Sequence, residues 1–557
     1  MKKIKVLFVF IFILVLYNSQ FSNSLTRIYI NGKVFTGVKD TVNDALVIKG
    51  DRILFTGGRE KALSFNSRRK SEIIDLNGKV VIPGFHDGDM DFLLGAGLLE
   101  NRLNFYGLNL ESIIHRLKNE KKKNKDIIFG FNFEHLLSKE GKWPNRYDLD
   151  KVSEDSPVVV FSSDGTNVWV NSFTLKLFGI TRNTPRITGG RIVRFEDNNP
   201  NGILIGKAID LLKGYSFREN FKKIRPDKEQ ILHAMEYANR FGLTSVTTYG
   251  DLEFVKQLEK LESEKKLTLR FNVILPSKNI GRYLISKTGF SSGSPYIRII
   301  SVTRKIDGSL YSSSAAMFSG YKDTENYGFL TTNINDISDL VSLYKNNGIT
   351  GSFNAEGDRG VHIILNGIRA ATRRSKNNMQ RYRISNFHFI IDEDIPRLKK
   401  MNVIPVIRPA SFMERAGLIE RLVGERKAGN ALRLRTLQKM KIKIAFGSGW
   451  PGESIDPLKG IDFAVFRKIK VRQEKENSWF IEEKLSFADA IRAYSYTPSY
   501  SVSDEERTGS IEKGKFADIV ILEGKIFSED LNKKVFSSTV RVVETIVAGK
   551  TVFKEEM

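Results

Sequence analysis

A chain of 557 residues with 41% hydrophobic side chains exceeds one minimal domain and can bury a full core, which excludes a globally disordered protein. It has no cysteine, which excludes disulfides, thiolate zinc sites and cysteine nucleophiles. Its net charge of +24 is spread along the chain, as on a solvated basic surface; the partners it would attract are anionic, phosphate groups or an anionic lipid surface among them.

At the start, Lys2, Lys3 and Lys5 precede an apolar run over 6–17, followed by the small residues of Ser22-Asn23-Ser24. This is the layout of an export signal, expected to span 1–24 with cleavage near Ser24. The run is shorter than the roughly 20 residues of a comfortable membrane span; retention as an uncleaved anchor is the competing reading. Both put the folded part outside the cytoplasm, periplasmic or extracellular.

Residues 25–80 hold short strand-like runs at 27–30, 45–48 and 53–55, separated by Asn31-Gly32, Gly50-Asp51 and Gly57-Gly58. Alternation between glycine turns predicts a small antiparallel module. The texture returns at 509–522 and 540–553, so 25–80 and 500–557 are expected to close one composite β-sandwich domain. Between them strands and helices alternate, as a parallel α/β fold requires. The spacing predicts a helix over 227–241, with Pro226 before it, Ile231, Met235, Ala238 and Phe241 on one face, and Gly242 after it. A second helix is expected over 337–347, stopped by Gly348. Buried strands are predicted at 80–85, 244–248, 269–275, 297–302, 349–353, 382–385, 403–407 and 442–446. Eight is the number that closes a TIM barrel, here over 81–499. The long stretch 93–225 is expected to hold an inserted subdomain. Its basic run Lys121-Lys-Lys-Asn-Lys125 reads as a solvated helix end or loop.

Val81-Ile-Pro-Gly-Phe-His-Asp-Gly-Asp-Met-Asp91 resembles the first barrel strand of the amidohydrolase superfamily. Lys142-Trp-Pro-Asn-Arg-Tyr-Asp-Leu-Asp150, Asp164-Gly-Thr166 with Val170-Asn-Ser172, and Gly189-Gly-Arg-Ile-Val-Arg194 are similar to the insert of amidohydrolase family 3, the N-substituted formamide deformylase-like branch. Asp307-Gly-Ser-Leu310, Glu356-Gly-Asp-Arg359, Arg381-Tyr-Arg-Ile384 and Phe446-Gly-Ser448 are similar to its later strand ends, and 509–518 to the superfamily tail. Together the blocks cover nearly all of 25–557. The resemblance implies a (β/α)8 barrel and a metal-dependent hydrolase of non-peptide carbon–nitrogen bonds.

Such hydrolysis runs on a bound zinc, which lowers the pKa of its water to about 7 and polarises the carbonyl. The resemblance implies histidines after strands one, five and six, a lysine on strand four, and an aspartate after strand eight that also serves as general base. In this chain the strand-one pair is Asp89 and Asp91, and the strand-four position is Thr303. Strands five and six give Asn354 and Asn386, strand eight gives Gly449, and the expected Asp-Gly-His near the pocket reads Asp164-Gly165-Thr166. Amides, a hydroxyl and a glycine are poor zinc ligands, so no zinc or other cofactor is expected. None of His86, His115, His135, His233, His362 and His388 stands at a ligand position. Asp87, Asp89 and Asp91, with amide oxygens of Asn354 and Asn386, form an all-oxygen set of the kind that takes calcium or magnesium, although calcium wants 6–8 oxygens.

Two readings stay open. One is an exported pseudoenzyme whose barrel mouth, lined by Asp89, Asp91, Thr303, Asn354, Asn386 and Trp450, binds a small molecule or a protein. The other is a hydrolase rebuilt on a hard cation or on carboxylates alone, with Asp89, Asp91, Asp164 and Asp307 as candidates. A basic binder of anionic lipid is a third class; nucleic acid is not expected, because no recognition motif is present.

Overall fold

A computed structural model describes residues 24–67, 70–101, 103–122, 127–133, 144–162, 165–212, 225–277, 294–373, 380–469, 477–524 and 540–556. The expected export signal, the Lys123–Lys125 end of the basic run, His135 and Asp164 lie outside the described residues. The chain divides into two units. One holds the residues up to His86, Glu236–Ser245 and Ser486 onward; the other holds Asp87–Met235 and Val246–Leu485.

In the first unit both chain ends share one sheet. Its six strands run in the order Lys550–Lys554, Arg541–Val547, Ile519–Glu523, Val80–Pro83, Lys33–Phe35, Val42–Asn43. The join is an antiparallel ladder with Val520 opposite Ile82. A four-stranded sheet of Arg52–Gly57, Ala45–Lys49, Thr26–Ile30 and Ser71–Asp75 accompanies it. One apolar core draws on both sheets, with Leu46, Ile48 and Ile53 against Val81, Ile519 and Ile546. Each such side chain contributes about 1.5–3 kcal/mol on burial. Gly549 has a φ of +70°, and a Cβ there would lie 1.9 Å from the carbonyl oxygen of Gly50, so the turn tolerates no side chain.

The barrel strands, labelled β1 to β8 in chain order, are Phe85–Met90, Leu243–Tyr249, Arg270–Pro276, Ile297–Lys305, Gly351–Asn354, Tyr382–Ser385, Val403–Ile407 and Ala445–Phe446, and they form one eight-stranded sheet in that order. β5, β6 and β7 pair in parallel, with Phe353 beside Ile384 and Ile384 beside Pro405. All five residues of β7 are buried, as in a sheet covered on both faces. The ring is drawn shut where the Gly449 N–H donates to the Asp89 carbonyl at 2.9 Å and the Asp91 N–H to the Trp450 carbonyl at 2.8 Å. At this seam a Cβ on Gly88 would stand 2.6 Å from the Phe446 carbonyl oxygen.

Two expected strands are redrawn. The run at 80–85 breaks at Gly84: 80–83 joins the six-stranded sheet, and the barrel strand begins at Phe85. The run at 442–446 shortens to two residues. Apolarity marks burial but not which sheet is buried against, so the break was not visible in the pattern. The helix expected over 337–347 begins at Ile334, because the Asn333 side chain accepts from the Asn335 and Asp336 N–H groups and caps it. Its buried face is Ile337, Leu340, Val341 and Tyr344.

Between β1 and β2 lies the inserted subdomain, a five-stranded sheet in the order Gly190–Arg194, Pro200–Gly206, Asn167–Val170, Val158–Ser162, Ile128–Phe133. Alternation is clean in it. Val159, Phe161, Val168 and Val170 enter one core, while Val158, Val160 and Trp169 enter another on the opposite face. Among the described residues no helix is long and apolar enough to cross a membrane.

Candidate functional site

The C-terminal ends of the barrel strands converge on Asp89, in β1 and 1% exposed. Both of its carboxylate oxygens are engaged. Oδ2 accepts from Arg408 Nε at 3.0 Å and from Nη2 at 2.7 Å, and Oδ1 accepts from the Tyr249 hydroxyl at 2.8 Å. Tyr249 ends β2, and Arg408 directly follows β7. Burial works against charge on Arg408, but Asp89 and then Glu453 outweigh it and hold the guanidinium more firmly protonated than usual. Burial, then Asp89, pushes the Tyr249 hydroxyl well above its ordinary range. With both guanidinium donors on one carboxylate oxygen, the pair is a charge-assisted bond stronger than a neutral one.

The pair continues outward. Arg408 Nη1 lies 3.9 Å from Glu453 Oε1, which lies 3.1 Å from Arg415 Nη1. Arg415 stacks over the Tyr311 ring at 4.7 Å and donates to the Ser411 hydroxyl at 3.1 Å. Acid and base therefore alternate from Asp89 through Arg408 and Glu453 to Arg415.

Gly449 takes a φ of +76°, and a Cβ at that position would come within 2.6 Å of Arg408 Nη1. The guanidinium thus occupies the space directly above the residue where the family resemblance puts its aspartate.

The neighbouring acids have local tasks. Asp87 accepts from the backbone N–H of Asp89 at 3.0 Å and from that of Ser448 at 3.0 Å, pinning β1 to the end of β8; burial pushes its carboxyl up to about 7. The β1 strand ends at Met90, so Asp91 does not continue the alternation that would aim it with Asp89. It caps the helix Phe92–Leu98, accepting from the Leu94 N–H at 3.1 Å. Burial, tempered by that bond, raises its carboxyl to about 6. Asp307 is buried and accepts from the N–H groups of Ala316, Glu356 and Gly357 at 3.1, 3.1 and 2.8 Å, which folds the loops after β4 and β5 around it. Burial, then Glu356, raises it to about 7.

Asn354 and Asn386 do meet: Asn386 Nδ2 donates to Asn354 Oδ1 at 3.3 Å. Asn386 has a φ of +58°, a left-handed conformation that asparagine tolerates. Its Oδ1, the Thr303 Oγ1 and the Arg383 Nε and Nη1 are buried without a hydrogen-bond partner. Arg383 is fully buried in β6 and donates to the Gly88 carbonyl. Thr303 also borders a cavity of about 320 Å³, shared with Tyr249, Ile274, Pro276 and Lys305. Trp450 is 6% exposed and packs on Phe92, with ring centroids 6.0 Å apart.

The histidines lie elsewhere. His388 is buried edge-on to Phe412, with centroids 5.2 Å apart, and its Nδ1 is 3.5 Å from Glu356 Oε2. His86 contacts the Ser499 hydroxyl at 3.2 Å, His362 meets Asp394 at 2.9 Å and His233 meets Glu100 at 3.1 Å. Among the described residues no three His, Cys, Asp or Glu side chains are grouped to hold a metal ion.

Sequence reasoning missed Arg408, Tyr249, Glu453 and Arg383. A signal existed for the first two. Each stands at the C-terminal end of a strand, where a barrel places its working side chains.

The family model described as "Amidohydrolase family" matches residues 72–553. Protein LONG AFTER FAR-RED 3 of Arabidopsis thaliana is 26% identical, over 94% of this chain and 91% of its own length. N-substituted formamide deformylase of Arthrobacter pascens is 22% identical, over 89% and 92%. The crystal structure of a metal-dependent hydrolase from Pyrococcus furiosus superposes with a TM-score of 0.65 at 25% identity, covering 89% of this chain and 98% of that one.

Proposed function

The chain belongs to amidohydrolase family 3, and from that premise we propose that it is an exported, non-hydrolytic member whose barrel mouth binds a small molecule or a protein partner. The observation that carries this reading is the Asp89–Arg408 pair, with the guanidinium standing over Gly449. Zinc needs free donors of the imidazole, thiolate or carboxylate kind. Here both Asp89 oxygens already accept hydrogen bonds, and the Arg408 cation would repel a second one. These residues do not fit the zinc implied by the family. Calcium or magnesium fits no better: Asp87 is held by backbone N–H groups on both oxygens and Asp91 gives one oxygen to the Leu94 N–H, short of the 6–8 oxygens that calcium takes. With glycine at 449 there is also no carboxylate in the family's position to take a proton from water. What remains suits recognition: the unpartnered polar atoms of Thr303, Asn386 and Arg383 would be satisfied by a ligand's own donors and acceptors, or by water.

One observation favours the second reading, a hydrolase working on carboxylates alone. Burial raises the Asp91 carboxyl to about 6 beside Asp89, which is paired with Arg408, and a carboxyl raised in this way can serve as a general acid.

Metal analysis and hydrolysis assays on the purified protein decide between them. The proposal expects no stoichiometric metal and no turnover of N-substituted formamides or N-acyl amines, with or without added zinc. Turnover lost in an Asp91→Ala variant would establish the second reading instead. Export is checked by sequencing the N-terminus of the protein recovered outside the cytoplasm, with a start near Leu25 as the expected result.

A further inference from the structure

Away from the barrel mouth, two adjoining cavities of about 730 and 670 Å³ run along the junction of the insert with the barrel loops. They share Arg186, Arg191, Ser313, Asn326 and Gly328, so they form one continuous cleft. Three separate stretches of chain deliver cations to it. Arg182, Arg186, Arg191 and Arg194 come from the insert, Lys322 from the loop after β4, and Arg421 from the helix Pro409–Val423 after β7. Against these six cations the lining holds one carboxylate, Glu325. None of the six forms an ion pair among the described residues.

Arg191 is the informative member. It lies on the strand Gly190–Arg194, is partly buried, and spends one guanidinium nitrogen on the Ser312 carbonyl at 2.9 Å. No carboxylate offsets its charge, and burial accordingly pulls its pKa below the ordinary arginine value. Holding an unpaired guanidinium away from water costs stability, which a bound anion would recover. Arg194 is fixed in place by the Thr181, Thr184 and Asn198 carbonyls at 3.1, 2.9 and 2.8 Å. Arg182, Arg186, Lys322 and Arg421 are exposed at the rim. The arrangement is thus a seated inner pair with an exposed outer ring of like charge, inside a concave wall that concentrates the field. Arginine forks match the oxygens of phosphate and sulfate groups.

We propose that this cleft is a binding site for a small polyanion carrying several closely spaced phosphate or sulfate groups, separate from the barrel mouth. The cleft's length, spanning two cavities, favours a ligand with more than one oxyanion over a single inorganic ion.

Isothermal titration of the full chain with inorganic tripolyphosphate and, in parallel, with a trisulfated disaccharide tests this. Saturable binding of one ligand per chain is expected, tighter for whichever oxyanion, phosphate or sulfate, the site serves and weakened by added salt. The pair Arg186→Ala with Arg421→Ala, both at the rim, should weaken binding about tenfold or more, roughly the loss of one charge-assisted contact. Arg191→Lys should weaken it similarly, by removing the fork while keeping the charge. A control pair, Lys260→Ala with Lys399→Ala, removes equal charge elsewhere on the exposed surface and should leave affinity unchanged. No saturable binding of either probe overturns the proposal, as does an equal loss in the control pair; the rim variants keep the test valid even where Arg191→Lys folds poorly.

Discussion

The barrel mouth and the insert cleft are both rich in arginine, yet they handle it in opposite ways. At the mouth Arg408 and Arg415 each face a carboxylate, Asp89 and Glu453, so charge is cancelled inside the protein. In the cleft six cations share one lining carboxylate, so charge is left for something outside the protein to cancel. Pairing is what separates an arginine that completes a fold from one that waits for a ligand. At the mouth the Arg408 guanidinium supplies the positive charge beside the acid at 89.

The largest expected effect follows from breaking the pair on one side only. Asp89→Ala leaves the part-buried Arg408 cation with only the looser Glu453 contact at 3.9 Å, and urea unfolding should show a loss approaching about 3 kcal/mol. Replacing both, as Asp89→Leu with Arg408→Met, should restore most of that loss, because the desolvation cost disappears with the charges. Asp307→Asn comes next. It turns an amide donor toward backbone N–H groups and should cost about 1–3 kcal/mol for each bond left unmade. The same variant reads a pH effect. The Asp307 carboxyl is raised in the folded state to about 7 from 3.8, so between those values the folded chain holds a proton that the unfolded chain has released. Stability therefore falls as pH rises from about 4 to about 7, and Asp307→Asn should make the fall shallower by the Asp307 share, leaving that of Asp87 and Asp91. Smallest are the rim changes Arg186→Ala and Arg421→Ala, expected to move stability by no more than about 0.5 kcal/mol while weakening binding at the cleft about tenfold or more. A large stability loss there would dissolve the contrast between the two regions.

Much of the architecture was legible from pattern. The helix over 228–240 and the eight-strand count follow from the period of apolar residues and the placing of glycine. Breaks inside apolar runs were not, because Gly84 and the short β8 depend on which sheet a buried residue meets. At the mouth, the substituted positions Asp89, Asn354, Asn386 and Gly449 were readable one by one against the family pattern, and Asn354 and Asn386 do come together. The Asp89–Arg408 pair was not readable. Arg408 lies 319 residues from Asp89, and no local spacing announces a partner at that distance. Asp91 was misjudged for a local reason: the strand stops at Met90, and a residue that caps a helix no longer obeys strand alternation.

The most direct check is a crystal structure of the protein grown with excess zinc, with anomalous scattering recorded at the zinc edge. The expected map has no anomalous peak among Asp89, Asn354 and Asn386, and Arg408 stays within hydrogen-bond distance of Asp89, about 3 Å. A strong peak there, with the Arg408 side chain swung clear of the carboxylate, would contradict the replacement of metal by guanidinium.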